Sequence, residues 1–497
     1  MRSLRRMQDD FLGFWRDAHE RHGDMVYVKF GHVDYYALRH PEQIREVLVE
    51  KAHAFVRWER HVEVLAQLHG QSLLITEGAQ WRRQRRMLQP AFSPKRFDVY
   101  AGQVSAAIDE ALEAMPGDGA TALDFEHAMN MLAADAILRT MFGTRVDASS
   151  GDRTAGIERA IRTLVDTGYR EMFLPFALPD WLPYPGRGAK RAAMRLLDTL
   201  IRSHIAARRA APDRQDDLLG MLLAAVDAEG ESGDASGEQG SAMLDDEGVR
   251  DQLMTTFLAG HETTAAALTW AGWALAAHPE VARRAAEEAD RVLGGRTPGY
   301  ADLARLPYIG MVVKEVMRLY SPSPGLLARR ALEDVRIGDY LLPKGSVVSI
   351  MTVIPHHDAR WFPQPERFDP SRFDTSAAHD IPRGAYLPFG AGPRVCIGSG
   401  FAGVEITLAL AMLLQRFSLR PAPGQRTEGA HGREPAARGR AAAGAGATPR
   451  HAGRAARCRA GDGEPLSLPR RGVSVQHLFT RTIPRGHKCP PYENPPL

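Results

Sequence analysis

The sequence predicts a mainly α fold with small β-sheets, an α+β arrangement in which a large helical body carries short strands at its edge. Three observations carry that expectation. Apolar residues recur at helical spacing through 101–113, Phe125–Phe142, 159–167 and 190–209. A longer segment, 245–277, opens on acidic residues and closes at His278-Pro279, as a long helix does. Strand-like runs are short, and no internal repeat is present.

Taken in order, MVYVKFGHVDYYAL (25–38) alternates around Gly31 and reads as a hairpin, and Pro41 then opens the helix PEQIREVLVEK. The helical segments follow. Between two of them FLPFALPDWLPYPGRG (173–188) is too apolar for a solvated turn, which suits a loop packed on the core or a lid over an apolar ligand. The acidic, Gly/Ser-rich stretch 227–241 reads as a flexible linker inside the domain. Beyond the long helix come short strands at 334–342 and 346–354, then a Pro/Phe/Arg-rich coil at 360–373. The body spans 1–424. Residues 425–497 form a second region, rich in Arg, Ala, Gly and Pro, whose composition is that of a disordered tail or of a reading-frame shift in a GC-rich coding sequence. Nothing from residue 425 onward is expected to fold.

Composition excludes several function classes. The chain has 497 residues, 44% hydrophobic and 25% charged, with a net charge of +3. After residue 424 there are 12 Arg and 1 Lys against 5 acids, so the tail carries +8 and the body −5. No aromatic interleaving accompanies the tail's arginines, so nucleic acid is not an expected partner. No apolar run reaches the ~18 residues of a membrane span, and the N-terminus meets Asp9 and Asp10 before any apolar core, unlike a secretory signal. Three cysteines cannot build a disulfide framework, and Cys458 and Cys489 lie in the tail. A cytoplasmic, reducing compartment is expected.

The stretch that carries chemistry is FGAGPRVCIG (389–398). Cys396 lies in a glycine-rich turn just before an apolar helix, with Arg394 two residues earlier, and both features favour a thiolate. A structural zinc would need about three further ligands, and none has the spacing. A nucleophilic Cys would need a base within reach, which spacing does not exclude. A single thiolate with the rest supplied by a cofactor is what a haem-thiolate site needs. A second candidate lies in the long helix, where AGHETT (259–264) interrupts an apolar run; Gly and paired Thr there cost helix propensity and mark either a kink or a site.

Phe389, Gly392, Arg394, Cys396 and Gly398 form the pattern FxxGxRxCxG, which resembles the haem-ligand signature of the cytochrome P-450 superfamily, of soluble bacterial type. Chance matches in a chain of this composition number on the order of 10⁻⁴. The resemblance covers about residues 11–424 and implies the cytochrome P-450 fold, with a long central helix over haem and the Cys loop beneath it. It implies Cys396 as axial thiolate to the haem iron, pushing electron density that favours O–O cleavage. Glu315 and Arg318, an ExxR pair, resemble the family's buried ion-pair network, whose downstream partner would be Arg372; alone, such a pair is usually a solvated salt bridge. Ala259 and Gly260 resemble the oxygen-binding groove, the glycine leaving room for dioxygen, with Glu262 and Thr263 as the acid–alcohol pair that relays protons. Trp81 and Arg85 resemble WxxxR on one helix face toward a haem propionate, with Arg329 and Arg394 as further propionate partners.

The implied cofactor is haem b (iron protoporphyrin IX). The implied activity is a monooxygenase that inserts one oxygen atom of O2 into an apolar small molecule. No flavin or nicotinamide motif occurs, so electrons come indirectly from NAD(P)H through a ferredoxin or flavodoxin-type donor and its reductase, with Arg83, Arg86 and Arg394 as candidate docking residues. A non-catalytic haem-binding sensor and a peroxide-driven oxygenase are the alternatives; Glu262 and Thr263 argue against the latter. The sequence departs from the resemblance in two places: the family's Pro-rich N-terminal lead-in is not seen, the chain starting almost at the first expected helix, and the hairpin that closes the substrate pocket is replaced by the Arg-rich tail.

Overall fold

The computed structural model describes residues 10–116, 123–144, 151–172, 184, 186–210, 217–232, 245–421 and 471–476. Its N-terminal part holds helix α1 (Phe11–His22), strands β1 (Met25–Phe30) and β2 (Val33–Leu38), helix α2 (Pro41–Arg45), strand β3 (Phe55–Arg57) and helices α3 (Glu59–His69), α4 (Gly78–Leu88) and α5 (Phe97–Glu113). The helical body adds strand β4 (Leu123–Asp124), then α6 (Phe125–Phe142), α7 (Gly151–Met172), α8 (Arg187–Ala210), α9 (Leu218–Ser232), α10 (Asp246–Ala277), α11 (Pro279–Leu293) and α12 (Pro307–Leu319). The C-terminal part holds β5 (Arg329–Ala331), β6 (Val335–Ile337), β7 (Tyr340–Leu342), β8 (Val347–Ile350), α13 (Val353–His356), α14 (Ser399–Arg416), β9 (Phe417–Pro421) and β10 (Arg471–Gln476).

Helices dominate, and the strands form three small sheets. The five-stranded sheet runs β1-β2-β8-β5-β3, bringing the two chain halves together: β2 pairs β8 in parallel, while β5 pairs both β8 and β3 antiparallel. The hairpin expected at 25–38 is β1–β2, in register Met25 with Leu38. At 32 residues, or about 48 Å, α10 is the longest helix among the described residues; Asp245 caps it by accepting from the Gly248 N–H, and Pro279 begins the next helix. It packs against α6, α8, α12 and α14 around one large apolar core. Among the described residues no helix is long and apolar enough to cross a membrane.

Two expectations are corrected. The linker placed at 227–241 starts later: residues 227–232 continue α9, whose apolar first half anchors the Ala- and Glu-containing turn that follows. Beyond residue 425, where nothing was expected to fold, RGVSVQ (471–476) forms β10, parallel to β9 and to β4, with Val473 against Leu419 and Val475 against Leu123. The segment alternates as a strand should, and an open edge on β9 supplies the pairing. The rest of the tail and the apolar loop at 173–183 lie outside the described residues.

Candidate active site

The Cys loop rests on a buried polar scaffold. Glu315 and Arg318 lie on α12 with fully buried side chains. Arg318 donates from Nε and Nη2 to the two Glu315 oxygens at 2.8 and 2.9 Å. Arg372 approaches Glu315 at 3.4 Å and donates to the carbonyls of Pro363 and Gln364. Glu315 also accepts from the Asp369 N–H at 2.8 Å. With both charges partnered on every side, burial is tolerable where a single charge would not be.

From this cluster a link runs to the Cys loop through His356. Arg318 donates to the His356 carbonyl at 2.7 Å, His356 Nδ1 lies 3.2 Å from the Arg318 carbonyl, and His356 Nε2 accepts from the Leu387 N–H at 2.8 Å. Accepting at Nε2 and donating at Nδ1 requires the neutral ring, and burial pushes its pKa down to about 3. Leu387 leads into Phe389, whose carbonyl accepts from the Cys396 N–H at 3.0 Å. At Gly392 the backbone adopts a left-handed φ of 74°, and a Cβ there would collide with the Leu48 carbonyl, so no larger residue fits.

Cys396 is accessible to solvent although most of its surroundings are protein, as at the wall of a concavity. That burial pushes its thiol pKa up; a hydrogen bond from the Gly398 N–H and the positive charge of Arg85 pull the other way. Arg85, on α4, donates to the Val395 carbonyl at 3.0 Å. Arg394 does not act on the thiol as expected: its guanidinium pairs with Glu77, donates to the Thr76 carbonyl at 2.8 Å, and lies 4.1 Å from the Trp81 ring centroid. With this pairing it is largely buried and is not available on a docking face.

Arg394 belongs to a larger cluster. Arg57 on β3 and Arg329 on β5 are direct cross-strand partners, and both feel the Arg394 charge. Burial, then mutual repulsion, lowers the Arg57 pKa to about 9 and that of Arg329 to about 10. Among the described residues Glu77 is the carboxylate acting on this group, its Oε1 accepting from the Arg57 N–H at 3.1 Å, and Arg57 Nε is buried without a partner there. Three guanidiniums against one carboxylate leave two positive charges in excess. A ligand bearing two carboxylates, as haem does, fits that excess.

On α10, Thr263 donates back to the Ala259 carbonyl at 2.7 Å, and the helix continues without a break. Glu262 is accessible but lies against protein; burial raises its pKa to about 7, and the negative charge of Asp166 adds to the shift. At Gly260 a Cβ would stand 2.9 Å from Cδ1 of Ile137 on α6, the outer end of a flexible side chain, so α10 and α6 approach closely there. Arg57, Glu77 and His356 were missed by sequence reasoning, since nothing local distinguishes them; only the fold brings them to the site.

The profile described as Cytochrome P450 matches residues 3–434. With that span, the chain belongs to the cytochrome P450 family, and it is a haem monooxygenase of apolar molecules. It is 36% identical over 404 residues to cyclooctatin synthase of Streptomyces melanosporofaciens, covering 81% of this chain and 84% of that protein. To cyclooctat-9-en-7-ol 5-monooxygenase of the same organism it is 35% identical over 409 residues, covering 81% and 84%. To pentalenene oxygenase of Streptomyces avermitilis it is 32% identical over 404 residues, covering 81% and 85%.

Proposed function

We propose that this chain is a cytoplasmic enzyme that inserts one oxygen atom of O2 into an apolar terpenoid, with Cys396 as the axial thiolate of haem b. Electrons originate in NAD(P)H and arrive through a ferredoxin or flavodoxin-type donor and its reductase. The observation that supports the reading is that the pinned Cys396 loop also carries Arg394, a member of a cluster of three guanidiniums that one carboxylate offsets only in part. The terpenoid class is suggested by what the similar proteins' names state, cyclooctat-9-en-7-ol and pentalenene.

Haem supplies the redox chemistry on dioxygen, and a cysteine ligand favours O–O cleavage. Arg57, Arg329 and Arg394 would hold its two propionates, and Trp81, against which Arg394 is stacked, would fix that guanidinium. Arg85 steadies the Cys loop through the Val395 carbonyl and places a positive charge near the sulfur. Glu262, with a pKa near the working pH, takes up and gives a proton, and the Thr263 hydroxyl, released from the Ala259 carbonyl, hands it on. Beside α4, a cavity of about 530 Å³ whose lining includes Arg82, Arg85 and Arg86 offers a basic face to an acidic electron donor.

The test is reconstitution with NAD(P)H, a ferredoxin, its reductase and a terpenoid panel preselected by spin-state titration. A hydroxylated product carrying oxygen from labelled O2 is expected. The Cys396→Ala variant is expected to lose the thiolate-type absorption of the reduced carbon monoxide complex, since no other cysteine lies in the body; retention of that absorption overturns the assignment.

A further inference from the structure

His69 is a polar side chain that the reaction as described does not use. It is the last residue of α3 and is 7% exposed. Burial, with the Arg250 charge adding to it, pushes its pKa down to about 4, so the ring is neutral. Its Nδ1 lies 3.2 Å from the Thr255 hydroxyl of α10. Thr256, Thr263 and Thr269 of that helix each donate to the carbonyl four residues back, whereas Thr255 has no such bond among the described residues. The Thr255 O–H therefore donates to Nδ1, which assigns the single ring proton to Nε2. That N–H has no acceptor among the described residues, and it is open to solvent rather than sealed in the core.

The side of α10 that His69 touches is the one bearing Thr263. Thr255, Ala259 and Thr263 follow at intervals of four and share a face. All three are partly or fully exposed, while Leu253, Met254, Phe257 and Leu258 between them are buried. Exposure along one stripe of so deeply packed a helix means that the stripe walls an open space. The backbone after His69 is tied to the same helix: the Gln71 N–H donates to Asp251 at 2.6 Å, and the Leu73 N–H to Gln252 at 3.0 Å. The imidazole is thus held in place before a ligand arrives, beside the half-buried apolar side chains of Leu73 and Leu74.

We propose that His69 is a specificity-determining residue whose Nε2–H donates to an oxygen already present on the substrate, so that the enzyme selects terpenoids bearing a hydroxyl, ether or carbonyl oxygen over bare hydrocarbons. A lone N–H facing an apolar ligand loses its water and gains nothing, whereas an oxygenated ligand pairs it. Thr255 precedes Thr263 by eight residues, about 12 Å along the helix axis. The substrate's own oxygen is held at about that distance from Thr263, and the new oxygen enters at the end of the molecule remote from it. This inference deepens the terpenoid reading given under Proposed function and rests on it.

The test uses three probes of one linear skeleton on the haem-loaded protein: farnesene, farnesol and farnesyl methyl ether, each titrated by the spin-state change it induces. The wild type is expected to bind farnesol and its ether about tenfold more tightly than farnesene, the scale of one hydrogen bond to a group otherwise left unpaired. His69→Phe should abolish that ratio, and His69→Gln, which keeps an N–H donor, should restore it in part. Comparing ratios between variants cancels differences in ligand solubility. Thr255→Val frees the ring proton to move to Nδ1 and should weaken the ether more than the alcohol, because an alcohol can donate to a bare Nε2 and an ether cannot. Product from farnesol should carry the new oxygen at the far end of the chain in the wild type and at scattered positions in His69→Phe.

Equal affinities of the wild type for farnesene and farnesol, or a ratio that His69→Phe retains, overturn the proposal. So does a wild type that prefers the alcohol but not the ether, since the ligand is then the donor. Should His69→Phe not fold, an ether affinity left unmoved by Thr255→Val overturns it alone. Binding needs no turnover, so failure of the terpenoid oxygenase reading would show as missing product while the preference in binding persists. Failure of this inference alone would show as product formed without that preference.

Discussion

Arg57 and Arg329 stand directly opposite one another in the antiparallel pairing of β3 with β5. Like charges in that relation destabilise a sheet by up to about 1 kcal/mol even at a solvated face. Here Arg57 is buried and Arg329 half-buried, with Arg394 near and, among the described residues, Glu77 to offset them. An anion placed among these guanidiniums would relieve their repulsion.

Arg57→Met should therefore separate stability from ligand retention. The haem-free variant is expected to unfold at a higher temperature than the haem-free wild type, while haem transfer to a scavenging apoprotein should be about tenfold faster or more, the scale of a lost charge-assisted hydrogen bond. Equal transfer rates would place the propionates elsewhere.

With its pKa raised to about 7, Glu262 as the proposed proton donor should give turnover an acid-dependent limb. The protonated form donates, so product formation per electron should fall as pH rises through about 7, and Glu262→Gln should abolish that limb while lowering the rate throughout. The same raised pKa means that folding keeps a proton which the unfolded chain releases above its ordinary carboxyl pKa. The wild type thus loses stability relative to Glu262→Gln between about pH 4.5 and pH 7, measurable by thermal unfolding.

Thr263→Ala removes a hydroxyl without touching Cys396 or the guanidiniums. Haem absorption and substrate-induced spectral changes should persist, while hydrogen peroxide replaces product, with coupling down by about tenfold or more. Unchanged coupling would leave Thr263 with only its bond to the Ala259 carbonyl.

Arg318→Ala strands the Glu315 carboxylate in the core and should cost about 3–5 kcal/mol, the penalty for breaking a buried pair. His356→Leu is the finer probe. It keeps the ion pair but cuts the link to Leu387, so the protein should fold and yet give a disordered thiolate spectrum in the reduced carbon monoxide complex.

The helices were legible because their signals are local. The apolar period of Phe125–Phe142 and the acidic start and Pro279 stop of α10 lie within a few turns of chain, and the cysteine turn announces itself through Gly392, Arg394 and Gly398 in one short run. The segment 227–232 was misread since Gly and Ser density speaks for a linker, whereas helix continuation from the packed half of α9 prevails there. For β10 the alternation of RGVSVQ is a local signal, but its partners lie on β9 and β4, far away in sequence.

By itself the sequence determined the class of fold and the family, through contiguous runs such as FGAGPRVCIG (389–398) whose spacing is local. The tertiary structure alone decided the partners: that Arg394 turns to Glu77, that Gly260 meets Ile137, that Arg57 faces Arg329, and that Glu405 lies unpaired but for Thr264. The physical reason is that burial and charge are set by everything within a few ångströms in space. Residues 57 and 329, or 264 and 405, have no local pattern that joins them until the helices and the small sheet close around the site.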